Sequence, residues 1–150
     1  MTTLETNRLI LRPWEEKDAR DLNDYAADPR MKNMVGWPPH KNMEETEAVL
    51  VDFLKSEELF AIVLVETGKV IGSIGFYHRD PEEATVMLPH RELSFALSPD
   101  YRDGLLQEAV DECAKYGFEE LGLGVLWCGH DVDDEFSPQV LEDCGFTFRF

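Results

Sequence analysis

Glu92-Leu93-Ser94-Phe95-Ala96-Leu97-Ser98-Pro99, leading through Asp100 into Tyr101-Arg102-Asp103-Gly104-Leu105-Leu106, is the stretch from which the fold is read. Leu93–Leu97 reads as a strand that Ser98-Pro99 closes. From Leu105 to Leu121 runs the longest helical pattern in the chain, with Leu106, Ala109, Val110, Cys113, Phe118 and Leu121 on one broad face. Gly122 stops it. A strand therefore hands over to a long helix through a short turn centred on Gly104.

Working outward, Phe60–Val65 and Val70–Phe76 are strands joined by the Thr67-Gly68 hairpin signal. Arg8-Leu9-Ile10-Leu11-Arg12 alternates polar and apolar up to Pro13, a further strand. Between them lie two helices. One spans Glu16–Ala27, with Ala19, Leu22, Tyr25 and Ala26 at helical spacing, and Asp28-Pro29 ends it. The other follows the rigid loop Gly36-Trp37-Pro38-Pro39-His40. Asn42 caps it, Glu44, Glu45 and Glu47 open it, and Val49, Leu50, Phe53 and Leu54 form its apolar stripe. A polar linker occupies His78–His90. On the C-terminal side, Val125–Cys128 is a short strand, and Ser137-Pro138 starts a helix with serine as cap and proline at the first helical position. Gly145 closes that helix and Phe146-Thr147-Phe148-Arg149-Phe150 alternates as a terminal strand. The order is strand, two helices, three strands, helix, strand, helix, strand: an α/β chain with a mixed sheet covered on both faces.

At 150 residues, 43% of them hydrophobic and 11% aromatic, the chain has the size and content for one domain with a real core. No apolar run reaches the roughly 18 residues of a membrane span, and the start has no signal-peptide pattern. Cys113, Cys128 and Cys144 are widely spaced among apolar neighbours, with no pair set for zinc or a dithiol. They read as core thiols of a reducing cytoplasm. Thirty-one acids against fourteen bases give a net charge of -17. That excludes a nucleic-acid or anionic-membrane surface and is compatible with a cationic amine as partner. Solubility, or a salty cytoplasm, accounts for the same charge.

The segments just read resemble, in order, the GCN5-related (GNAT) N-acetyltransferases, and in particular their ribosomal-protein-alanine acetyltransferase-like branch. Leu4–Pro13 is similar to the opening strand of that family and Thr67–Gly75 to its central hairpin. Glu92–Pro99 is similar to its fourth strand, Glu108–Val110 with Phe118–Leu123 to its long helix, and Val140–Phe146 to its closing helix and turn. The resemblance implies a three-layer α-β-α domain whose mixed, mostly antiparallel sheet splays between the fourth and fifth strands. It further implies acetyl transfer from acetyl-CoA to an amine. The match ends at Phe150, one strand short of the family pattern. This leads to the expectation that a sheet edge is left for a partner chain, with a two-fold dimer through the Phe146–Phe150 region as the simplest form.

The family places the pyrophosphate on backbone N–H groups at a helix start, which maps the cofactor loop onto Arg102, Asp103, Gly104, Leu105 and Leu106. The pantetheine arm pairs with a strand edge, mapped onto Phe95, Ala96 and Leu97. The loop departs from the family pattern: Arg102 stands where glycine is common, Asp103 where a base is common and Leu106 where a small residue is common. Arg102 can offset the Asp103 carboxylate by pairing with a phosphate. The loop also reads simply as a strand-to-helix turn with Asp103 as acidic cap. Asp134 replaces the usual asparagine of the pantetheine region, and Ser137 matches the family serine, as a helix cap or a catalytic hydroxyl. Glu92 is the candidate base, with His78, His90 and His130 as lesser candidates. Trp37, Tyr25 and Phe76 are either core or acceptor-side aromatics. A second reading follows from these departures, a fold of this family that binds a ligand or partner without turnover.

Overall fold

The computed structural model describes residues 2–35, 38–79 and 87–149. Among them the strands are β1 (Leu4–Glu5), β2 (Leu9–Pro13), β3 (Leu59–Leu64), β4 (Val70–Tyr77), β5 (His90–Leu97) and β6 (Val125–Cys128). They form one sheet in the order β1-β2-β3-β4-β5-β6. The helices are α1 (Ala19–Ala26), α2 (Lys32–Val35), α3 (Met43–Lys55), α4 (Leu105–Glu119) and α5 (Ser137–Asp143), with single 3-10 turns before α1 and α2. Neither β1 nor α2 is legible as a separate element in the sequence.

Every pairing from β1 to β5 is antiparallel, and only β5 and β6 run parallel. All six residues of β3 are buried, because helices cover both faces of the sheet. Leu9, Leu11, Phe60, Ile62, Leu93 and Leu97 point to one side, where Leu106, Ala109, Val110 and Cys113 of α4 and Val140 of α5 complete a core. Leu59, Ala61, Val63, Val70 and Ala96 point to the other, against Leu22 and Tyr25 of α1, Met31 and Leu50. In β4 the register slips by one residue opposite Ile62 and Val63, a bulge at Ile71-Gly72. A side chain at Gly72 would strike the Ala96 carbonyl, so glycine lets β5 close on the bulge.

The expected turn chemistry holds at several ends. The Asn42 side chain accepts the Glu45 N–H at 3.0 Å, Gly68 turns the β3–β4 hairpin at φ 75, and Gly122 follows α4 at φ 68.

Three expectations are corrected. Phe118 does not face the core but is 48% exposed. Gly117 takes that place, four residues after Cys113, with its missing side chain admitting Phe76 and Leu123. Ser137 is not the cap of α5 but its first residue; the capping acceptor is Asp134, three residues upstream. Residues 146–149 form no strand. Gly145, at φ 88, turns the chain so that the Phe146 N–H closes onto the Leu141 carbonyl, and Phe148 is left 81% exposed. Phe150, like Trp37 and Gly36, lies outside the described residues.

Candidate functional site

The parallel pairing of β5 with β6 ends early. Register runs His90↔Val125 to Leu93↔Cys128, after which β6 stops while β5 continues to Leu97. The Ser98 N–H bonds the Ile71 carbonyl, so by alternation Ala96 and Ser94 also turn their backbone groups toward β4. Phe95 and Leu97 must turn theirs the opposite way, into the gap that β6 leaves. Of the three β5 residues singled out in the sequence, Phe95 and Leu97 thus offer edge groups to the gap and Ala96 offers none. The Leu97 N–H already has a partner, the Met34 thioether of α2, at 3.3 Å.

At the far end of the gap the chain enters α4. Gly104 adopts φ 79 as its N-cap, a left-handed conformation that suits glycine, and no side chain caps the helix. Asp103 is therefore not the cap; its side chain is exposed and its carbonyl accepts Arg8 Nη1 at 3.0 Å. Leu105 and Leu106 bury their side chains in the core, leaving the backbone N–H groups of the first turn without intrahelical acceptors. Arg102 lays its guanidinium over the Phe136 ring at 4.0 Å. Its Nη1 is buried with no hydrogen-bond partner among the described residues. Loss of solvent lowers the Arg102 pKa from its ordinary value, Asp134 counters that, and Arg30 adds to it. Arg30, Met34, Arg102, Asp134 and Phe136 line one open cavity of about 370 Å³.

Asp134 is buried, and its Oδ1 accepts the N–H groups of Phe136 and Ser137, each at 3.0 Å. The acidic loop thus fastens the start of α5. Ser137 is 1% exposed, and its Oγ has no partner among the described residues.

Glu92 lies where the strands are still joined, opposite Trp127 and one residue before the parting. Arg79 Nη1 donates to its Oε1 at 3.1 Å. Glu92 does not line the cavity; it sits at the floor of the gap, and Arg102 and Asp134 sit at its mouth. The histidines stay peripheral. His78 is exposed beside Glu58, His130 touches the Asp131 carbonyl, and His90 begins β5. Tyr25 and Phe76 are both 3% exposed, core residues rather than a lining of the gap. Burial raises all three thiols, Cys128 and Cys144 to about 12 and Cys113 likewise upward, so none is a ready nucleophile at neutral pH. Among the described residues no cluster suited to a metal ion exists, and no helix is long and apolar enough to cross a membrane.

A gap between parallel strands, with a helix N-terminus at its mouth, is the arrangement that the sequence resemblance implied. The family model for the acetyltransferase (GNAT) domain matches residues 8–147. The chain belongs to that family. This acetyltransferase is similar to the N-acetyltransferase p20 of Bacillus licheniformis, itself uncharacterized, at 28% identity over 97% of this chain and 83% of that one. Its fold is that of an acetyltransferase from Bacillus anthracis, with TM-score 0.84 and 22% identity over 97% of this chain and 84% of the other. It is also that of spermidine N-acetyltransferase from Vibrio cholerae, a structure in complex with CoA and spermine, at TM-score 0.75 and 17% identity over 97% and 84%. The protein is an acetyltransferase of mixed α/β fold.

Arg8 and Met34 are the residues that sequence reading missed. Arg8 reads locally as an alternating strand position, and Met34 as a connector. Each acts on a segment distant in the chain, a relation that no local pattern encodes.

Proposed function

We propose that the acetyltransferase takes its acetyl group from acetyl-CoA and passes it to a primary amine, a protein N-terminus or a small cationic amine, by direct attack. The observation that carries this reading is the parting of β5 from β6 after Leu93, with the edge groups of Phe95 and Leu97 turned into the gap. A pantetheine arm is an amide chain and fits such an edge. The first-turn N–H groups of α4, with the half-buried Arg102, suit its pyrophosphate. Acetyl-CoA supplies the activated acetyl thioester. The chain's own task is to deprotonate the ammonium of the acceptor and exclude water. Glu92 is the base in this reading, its Oε1 held by Arg79. The high thiol pKa values favour direct attack over an acetyl-cysteine route. The resemblance of the chain to the ribosomal-protein-alanine acetyltransferase-like branch supports a protein N-terminus. The net charge of -17 and the fold shared with a spermidine enzyme support a polyamine.

Calorimetric titration with acetyl-CoA tests the donor. Turnover on alanine-terminated peptides and on spermidine separates the acceptors. Glu92→Gln should lower kcat at neutral pH by at least about tenfold, against a usual 10²–10⁴ for general-base assistance, without changing cofactor affinity. The loss should narrow at alkaline pH, where amines deprotonate unaided. A loss below about threefold would remove Glu92 from the role. One observation favours a second reading: Met34 already occupies the Leu97 N–H. Absence of acetyl-CoA binding would hand the case to a partner-binding protein without turnover.

A further inference from the structure

Arg8, at the turn into β2, reaches across 95 to 100 residues of sequence and grips the start of α4. Its Nε donates to Glu108 Oε2 at 2.9 Å and its Nη1 to the Asp103 carbonyl at 3.0 Å. Its backbone N–H donates to Glu108 Oε1 at 2.7 Å, an oxygen that also accepts the Thr6 hydroxyl at 2.5 Å. A side chain at Gly104 would lie 3.4 Å from Arg8 Nη2, so the guanidinium rests beside that glycine. We propose that Arg8 is the positioning residue of the cofactor loop: it sets the Asp103-Gly104 peptide and keeps the Glu108 carboxylate off the N-terminus of α4. This rests on the reading that the loop holds a pyrophosphate.

The argument has two parts. In a trans peptide the carbonyl and the following N–H point in opposite directions. With the Asp103 carbonyl held by Arg8, the Gly104 N–H must face away, and it donates to the Arg102 carbonyl. The chain then enters α4 through the left-handed Gly104, and the first helical bond is Glu108 N–H to the Gly104 carbonyl at 3.1 Å. The second part concerns charge. A helix N-terminus attracts any nearby carboxylate, and Glu108 stands in the first turn of α4. Left alone it would compete for the amides that a phosphate needs. Instead Thr6 and the Arg8 N–H occupy one oxygen and the Arg8 side chain the other. Partial burial opposes ionisation of Glu108, yet these bonds outweigh it and hold its carboxyl below the ordinary value. The carboxylate is spent on β2, and the first-turn amides stay free for a ligand.

Arg8→Met should weaken coenzyme A about tenfold, the usual weight of one charge-assisted hydrogen bond. The acetyl-CoA KM should rise to match, with kcat at saturation within about twofold and the amine KM unchanged. Arg8→Lys restores the charge but not the two-pronged grip, and should recover only part of the loss. Adding Glu108→Gln to Arg8→Met should recover another part, since the competing carboxylate is then gone. A merely structural role would lower kcat and both KM-defined affinities together as the fold loosens. That result, or unchanged coenzyme A affinity in Arg8→Met, overturns the proposal. Amide hydrogen exchange over residues 101–108 gives a readout without ligand: Arg8→Met should accelerate it there and leave β3 and β4 unchanged. Equal exchange in the two proteins overturns the positioning role even if affinity falls. A parent protein that binds no coenzyme A overturns the proposed function instead, and the exchange data still decide what Arg8 does.

Discussion

Met34→Ala tests whether the Met34 thioether stands where the proposed pantetheine arm would pair with β5. The Met34 sulfur sits 3.3 Å from the Leu97 N–H, one of the two β5 donors that face the gap. Any amide carbonyl that pairs with Leu97 must first displace it. The bond displaced is a weak one, worth about 1 kcal/mol at most on the net scale for intramolecular hydrogen bonds. Removing it should therefore tighten coenzyme A by up to about fivefold. Met34 also packs, half-buried, against both hydrophobic clusters. Truncating a fully buried methionine costs about 2–5 kcal/mol, so about 1–2 kcal/mol is expected here, a fall of roughly 3–6 °C in Tm. Affinity should thus rise while stability falls, a pairing that general loosening does not produce. Calorimetric titration at fixed ionic strength, with thermal melts of the free proteins, measures both. Unchanged or weaker binding by Met34→Ala would refute the reasoning, because it would mean that the thioether packs beside the bound arm rather than standing in its place.

Asp103→Asn should tighten coenzyme A by up to about fivefold at low salt, since it removes an exposed carboxylate beside the loop while keeping its carbonyl for Arg8. The gain should shrink toward 0.1 M salt and above, where screening acts over ~10 Å; equal gains at all salt concentrations would argue against a charge effect. Glu108 has a folded pKa below its ordinary value of 4.5, so its stabilisation is present above that value and lost as pH falls through the folded value. The Tm deficit of Glu108→Gln relative to the parent should accordingly be full at pH 7 and close on acidification below about 4.5, and a deficit independent of pH would show that its charge is not what stabilises. Self-association through β6 is our proposal for its outer edge, which no strand pairs among the described residues, with the exposed Phe148 of the segment after α5 as a further apolar contact. Sedimentation at micromolar concentration should show a dimer that dissociates on deleting residues 147–150; a folded monomer would rule it out.

Periodicity and punctuation determined most of the sheet and the long helices. Alternation in Arg8–Arg12, the Thr67-Gly68 turn, the apolar runs of β3 and β4, and the helical spacing of Leu106, Ala109, Val110 and Cys113 are local patterns. A strand or an amphipathic helix needs only such a pattern to choose its state. The turn from β5 into α4 was legible for the same reason: Gly104 sits between a strand-closing Ser98-Pro99 and an apolar helical face. The terminal strand failed because alternation alone cannot supply a partner. Phe146–Arg149 alternates, but the Gly145 turn bonds Phe146 back to α5. What only the tertiary structure decided are relations between distant segments. Arg8 meets Asp103 and Glu108 because β2 and the start of α4 converge across the sheet. Met34 meets Leu97 because α2 folds over the gap. Asp134, at the mouth of the gap, spends its Oδ1 on the start of α5. A side-chain hydrogen bond spanning a hundred residues leaves no periodic trace, since its energy depends on where the backbone puts two groups and not on the residues that flank them.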